Sequence, residues 1–114
     1  MRNDPLSARS MDFAVSIIQL VKELKQQKES IISNQIGRSG TSIGANIREA
    51  QYAHGKADFI AKLQIALKEC SESEYWLELL MESGYWEDRA ILESCIEVKK
   101  LLVSSINTAK RNLK

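Results

Sequence analysis

One run of the sequence constrains the fold more than any other. Phe59, Leu63, Ala66, Cys70, Ser73, Leu77 and Leu80 alternate four and three residues apart. That is a heptad-like helical seam, far too long for a strand. It predicts a helix from Ala57 to Ser83, about 40 Å long at ~1.5 Å per residue. Ile60, Leu67 and Met81 widen the seam to a second flank. A helix of this kind needs other helices to bury it.

Three further segments supply them. From Ser7 to Gln27, Ala14, Ile17, Val21 and Leu24 recur at helical spacing, with Phe13, Ile18 and Leu20 widening the stripe. From Ser30 to Tyr52, Ile32, Ile36, Ile43, Ile47 and Ala50 mark an apolar side. From Glu87 to Asn112, Ile91, Cys95, Val98, Leu102, Ser105 and Ala109 repeat the alternation of the third segment. Glu87 and Asp88 at its start, and Lys110, Arg111 and Lys114 at its end, suit a helix dipole. Five glycines and one proline in 114 residues are too few for a sandwich or barrel of many turns. The expectation is a single all-α domain over residues 1–114. Its simplest form is an antiparallel, up-down-up-down four-helix bundle, because the connections are short. Gly55 and Gly84 are placed to end the second and third helices in left-handed caps, with Tyr85 and Trp86 packing back on the last turn.

The second segment contains Gly37, Gly40 and Gly44. Each glycine inside a helix costs up to about 1 kcal/mol relative to alanine. Either this stretch is a loop, or small residues let another helix come close. The isoleucine spacing runs through it unbroken, which favours the helix. Asn46 and Glu49 stand on the isoleucine side and, if buried, need partners on another helix or subunit. Thr41 and Ser42 can bond back to helix carbonyls.

The two cysteines, counted outward from the Gly84–Tyr85 turn, fall about five residues out of register, roughly 7 to 8 Å along the axis. That is too far for a disulfide, so both read as reduced core residues. No apolar run is long enough to cross a membrane. The first residues, Met1-Arg2-Asn3-Asp4-Pro5, lack the apolar centre of a signal peptide, and a cytoplasmic location is expected.

The net charge of +1 hides an asymmetry. Residues 69–97 carry nine acids and one arginine, whereas residues 98–114 carry five basic residues and no acid. This fits solvated faces, charge-matched contact between subunits, or a basic end that meets phosphate. Little points to catalysis. The single histidine, His54, falls at a turn. Glu69 and Glu72 have no histidine partner for a di-iron centre, and Glu74, Glu78 and Glu82 form a solvated ladder. The cysteines have no zinc spacing. Residues 37–42 lack the Gly-Lys-Ser/Thr ending and the preceding strand of a phosphate loop. No catalytic residue, cofactor, metal or small-molecule substrate is expected. Tyr75 and Trp76 lie off the main seam, either as peripheral core or as anchors for a second subunit or partner.

The run Arg38-Ser39-Gly40-Thr41-Ser42-Ile43-Gly44-Ala45-Asn46-Ile47-Arg48-Glu49-Ala50 resembles the signature of the four-helix-bundle proteins encoded in 23S rRNA intervening sequences. Lys56 to Leu63 and Ala66 to Leu77 extend the match, so the resemblance covers nearly the whole chain. It implies a bacterial four-helix bundle that forms a homo-oligomer, typically a pentameric ring, with no enzyme activity and no cofactor. Arg38, Ser39, Thr41, Ser42, Gly44, Ala45, Asn46, Glu49 and Ala50 then set helix packing and assembly. It also implies a link to RNA, since some members lie within an excised rRNA insertion. A related branch, the accessory proteins of diversity-generating retroelements, consists of basic pentamers that bind a reverse transcriptase and nucleic acid. This chain departs from that branch in its near-neutral charge and acidic third helix.

Two functional expectations follow. One is a non-enzymatic, homo-oligomeric scaffold or adaptor that meets its neighbours through residues such as Tyr75 and Trp76. The other is an accessory protein that meets RNA, DNA or a nucleic-acid-processing protein. In it, a patch of Lys99, Lys100, Lys110 and Arg111 is multiplied by assembly.

Overall fold

A computed structural model describes residues 4–112. Lys114, counted above with the basic end, and Met1, Arg2 and Asn3, read above for a leader, lie outside the described residues. Every regular element among the described residues is helical: α1 (Pro5–Gln26), α2 (Ile31–Gln51), α3 (Lys56–Glu82) and α4 (Ala90–Arg111).

Local chemistry sets these limits. The Asp4 carboxylate accepts from the Ser7 N–H at 2.9 Å and the Ser7 hydroxyl at 3.0 Å. Pro5 takes the first helical position, where its missing N–H costs nothing. The helix therefore starts two residues before the expected Ser7. Buried Glu29 opens α2 by accepting from the Ile32 and Ser33 amides at 2.9 and 2.7 Å. A carboxylate there also meets the positive end of the helix dipole.

Gly84 takes a left-handed φ of 84° and closes α3 with two bonds, from its own N–H to Met81 and from Tyr85 to Leu80. Gly55 does not cap α2. Its φ of 168° is extended, and it precedes α3, while α2 ends at Gln51 with Tyr52 as its cap. Residues 83–89 occupy the last connection, so α4 starts three residues later than expected, and Asp88 accepts from the Ala90 N–H. That later start corrects the cysteine register. Cys70 and Cys95 are not offset along the axis but in contact, with sulfurs 3.8 Å apart.

Each helix packs on two neighbours: α1 on α2 and α4, and α3 on α2 and α4. Residue numbers rise on α2 as they fall on α1, since Gly37, Gly40 and Gly44 lie against Val21, Ile17 and Ser10. The molecule measures 49 × 22 × 20 Å. The seam of α3 is buried from Ile60 through Leu63, Ala66, Cys70, Ser73 and Leu77 to Leu80. Phe59 lies at its margin rather than in it. The last turns of α4 bury Ile106, leaving Ser105 and Ala109 half-buried. The larger difference is on α1. Its core face is Leu6, Ser10, Phe13, Ile17, Leu20 and Leu24. Ile18, expected in the core, is 48% exposed.

Candidate functional site

The glycine-bearing stretch is helical throughout, and its small residues are used for close approach. A Cβ at Gly40 would lie 2.8 Å from Ile17 Cγ1. Around this contact the signature residues divide between two neighbours. Toward α3, the Ser39 hydroxyl meets the Ser73 hydroxyl at 2.8 Å, and both residues are fully enclosed. The Arg38 guanidinium spans Glu69 at 3.1 Å and Glu72 at 2.6 Å, and these carboxylates raise its pKa. Glu49 is exposed and pairs with Lys62 at 3.4 Å. Ala50 is buried.

Three polar residues of the motif bond within their own helix. Thr41 Oγ1 donates to the Gly37 carbonyl at 2.7 Å, Ser42 Oγ to Arg38 at 2.7 Å, and Asn46 Nδ2 to Ser42 at 2.9 Å. Asn46 and Glu49 thus form no buried network with another helix. The interhelical polar bond is made by the shorter Ser39 and Ser73 instead.

On the side toward solvent, α1 and α2 border a groove of about 690 Å³. Thr41, Gly44, Ala45 and Arg48 line it from α2, and Ala8 and Met11 are among its α1 residues. Met11, Val15 and Ile18 follow one another along α1 at spacings of four and three and are 52%, 51% and 48% exposed. They form a second apolar stripe beside the one in the core. Gly44 and Ala45 keep the α2 wall low at this point, and the groove is open, with Arg48 at its border.

The aromatic pair of α3 divides. Tyr75 is 57% exposed, whereas Trp76 packs against the core, their rings meeting edge to face at 5.1 Å. The two Trp indole N–H groups, on Trp76 and Trp86, are buried without acceptors.

The basic residues are also divided. Lys99, Lys100 and Arg111 border a shallow groove of about 460 Å³ along α4, with Ser104, Asn107 and Thr108 between them. Lys110 is exposed but does not line it. Lys99 is held by Glu74 at 2.7 Å, which raises its pKa and neutralises part of the patch. Arg9 pairs with Glu97, and that contact raises the Arg9 pKa. With Arg38 on Glu69 and Glu72, these pairs consume part of the charge asymmetry inside the bundle. His54 sits exposed between α2 and α3. Among the described residues, no three metal-ligating side chains converge, and no helix is long and apolar enough to cross a membrane.

Hydropathy spacing puts the motif on a helix, as found, but it puts Ile18 in the core and Met11 and Val15 on no face, so the groove beside the motif does not show in it. Their regular spacing was the available signal.

A family model for the 23S rRNA-intervening sequence protein matches residues 5–104. A crystal structure from Bacteroides thetaiotaomicron, described as a protein of unknown function from the S23 ribosomal protein family, is 52% identical. The match covers 89% of this chain and 97% of that one, with a TM-score of 0.87. No curated protein matches the chain.

Proposed function

The chain belongs to the 23S rRNA-intervening sequence protein family, and from that premise we propose a non-enzymatic, cytoplasmic scaffold that works as a homo-oligomer. Its subunit is an antiparallel, up-down-up-down bundle, and its assembly is a pentameric ring. The observation that carries the assembly is the exposed stripe of Met11, Val15 and Ile18 beside the groove of α1 and α2. A monomer in water gains nothing from such a stripe, whereas a subunit interface buries it. The low relief of exposed Ala45 lets a helix of a second copy come close. Tyr75 offers a separate exposed aromatic on α3, and a ring needs two different faces that meet head to tail.

The test is solution mass by light scattering, on nucleic-acid-free protein, at low and high salt. The expected mass is near five times 12.9 kDa and independent of salt. Val15→Lys, placed in the stripe, should reduce it to a monomer while helix content by circular dichroism is kept. A monomeric wild type, or an assembly indifferent to Val15→Lys, would overturn the reading.

The α4 groove favours a second reading, an accessory role with RNA or DNA. Lys100 and Arg111 present charge, and Ser104, Asn107 and Thr108 present hydrogen-bonding groups along one face. Repetition around a ring would multiply this modest patch. Binding should then weaken steeply with salt and be lost in Lys100→Glu/Arg111→Glu. Absence of saturable binding to RNA and DNA at low salt would refute it.

A further inference from the structure

Two thiols lie face to face between α3 and α4, and neither proposed surface uses them. Cys70 and Cys95 are the only cysteines in the chain, and both are fully enclosed. Their sulfurs are 3.8 Å apart. Each thiol also points at the other residue's backbone carbonyl, Cys70 Sγ to Cys95 at 3.4 Å and Cys95 Sγ to Cys70 at 3.5 Å. Reciprocal contacts of this kind require the two backbones to stand level and close at this point. A disulfide needs sulfurs about 2.05 Å apart. Each sulfur therefore has to move by roughly 0.9 Å, within reach of a small side-chain rotation.

The surroundings favour reaction over inert packing. Glu74 and Lys99 follow the two cysteines by one helical turn each, and their ion pair at 2.7 Å is partly exposed. Burial and the Glu74 carboxylate oppose a thiolate on either cysteine, and the Lys99 ammonium offsets them only in part. The Cys95 thiol hydrogen-bonds Cys70 and, with Lys99, lowers the Cys70 pKa. A Cys70 thiol of lowered pKa, with a second thiol in contact, can close to a disulfide once a small oxidant reaches it.

We propose that Cys70 and Cys95 are a reversible oxidation site, a dithiol that closes to a disulfide and clamps α3 to α4. The oxidant class is a peroxide, small enough to enter where water can. The Cys70 thiolate attacks one peroxide oxygen, breaking the O–O bond and giving a sulfenic acid and hydroxide. The Cys95 sulfur, giving up its proton, then attacks the Cys70 sulfur and displaces a second hydroxide. The Cys95 proton and the one Cys70 had already lost convert both hydroxides to water. The cysteines lose two electrons and the peroxide gains two. A thiol reductant reverses the step. The clamp acts within one chain, so it stands whether or not copies associate.

The test uses the full-length protein and hydrogen peroxide. Intact mass under denaturing conditions should fall by two hydrogens per chain, and free thiols should drop from two to none. The chain should stay monomeric on a non-reducing denaturing gel. The thermal midpoint should rise by roughly 8–15 °C, from closing a loop of about 25 residues, and return with dithiothreitol. Cys70→Ser and Cys95→Ser should each abolish the loss of two hydrogens. Differential thiol labelling of the wild type reads the same event without any variant. Oxidation only to sulfinic acid, only to interchain dimers, or without a rise in melting temperature would overturn the proposal. So would thiols that stay reduced until the protein unfolds.

Discussion

Gly40→Ala tests how closely α2 sits on α1. Alanine in place of an interior helix glycine is worth up to about 1 kcal/mol through propensity alone. At Gly40 that gain is opposed. The added Cβ would lie 2.8, 3.1 and 3.2 Å from Cγ1, Cγ2 and Cδ1 of Ile17. Ile17 is fully enclosed and β-branched, so it has little freedom to turn away. Overpacking of this kind costs about 1–3 kcal/mol. The balance is a net loss of about 1 kcal/mol, or roughly 4 °C in thermal midpoint. Two other glycines of the same helix serve as internal controls. A Cβ at Gly37 would meet Val21 Cγ2 at 3.4 Å, and one at Gly44 would meet Ser10 Oγ at 3.5 Å. Neither is compressed, so Gly37→Ala and Gly44→Ala should raise the midpoint by about 2–4 °C. Urea denaturation at one temperature, with equal slopes for all variants, gives the free energies directly. An equal rise in all three variants would refute the close approach.

Two further outcomes follow from buried polar groups. Ser73 Oγ donates to the Glu69 carbonyl at 2.9 Å, so Ser39 is the donor in the bond between the two hydroxyls. Ser39→Ala should cost about 0.5–1.5 kcal/mol and Ser73→Ala, which strands a buried donor, about 1–3 kcal/mol. Urea melts check the order, and equal costs would contradict the assignment. The thiol pair predicts alkaline destabilisation. Its hydrogen bond to Cys70 and burial hold the Cys95 proton far above the ordinary thiol range. Above pH ~8.5 the unfolded chain loses two thiol protons while the folded chain keeps one, so stability falls by about 1.4 kcal/mol per pH unit. Lys99, raised by its bond to Glu74, adds a fall only above pH ~10.4. In reduced protein, Cys95→Ser should flatten the limb between about pH 8.5 and 10 in thermal melts.

Much of the fold is legible because long helices repeat their evidence. The α3 seam recurs over seven positions, and an error at Phe59 leaves the others in place. Helix ends rest on single residues and are read less well. Asp4 with Pro5 moves one start, and buried Glu29, a residue type that hydropathy sends to the surface, caps another. The cysteine register failed for a similar reason. Seven residues between α3 and α4 break the symmetric count on which the offset depended.

The surface stripe of α1 poses a different problem. Phe13, Ile17 and Leu20 have the same spacing of four and three as Met11, Val15 and Ile18. Periodicity shows that both are stripes, but not which one a neighbouring helix covers. Burial is a property of the pair of helices. The glycines of α2 hold the missing half of the information. Gly37, Gly40 and Gly44 share one face, and a face without side chains must receive bulk from its partner. On α1 that bulk is Val21 and Ile17, with Ser10 beyond them. Seating these residues against the glycines puts Phe13, Leu20 and Leu24 inward and turns Met11, Val15 and Ile18 outward. Matching relief between helices, small against large, therefore separates a core stripe from an exposed stripe where hydropathy cannot.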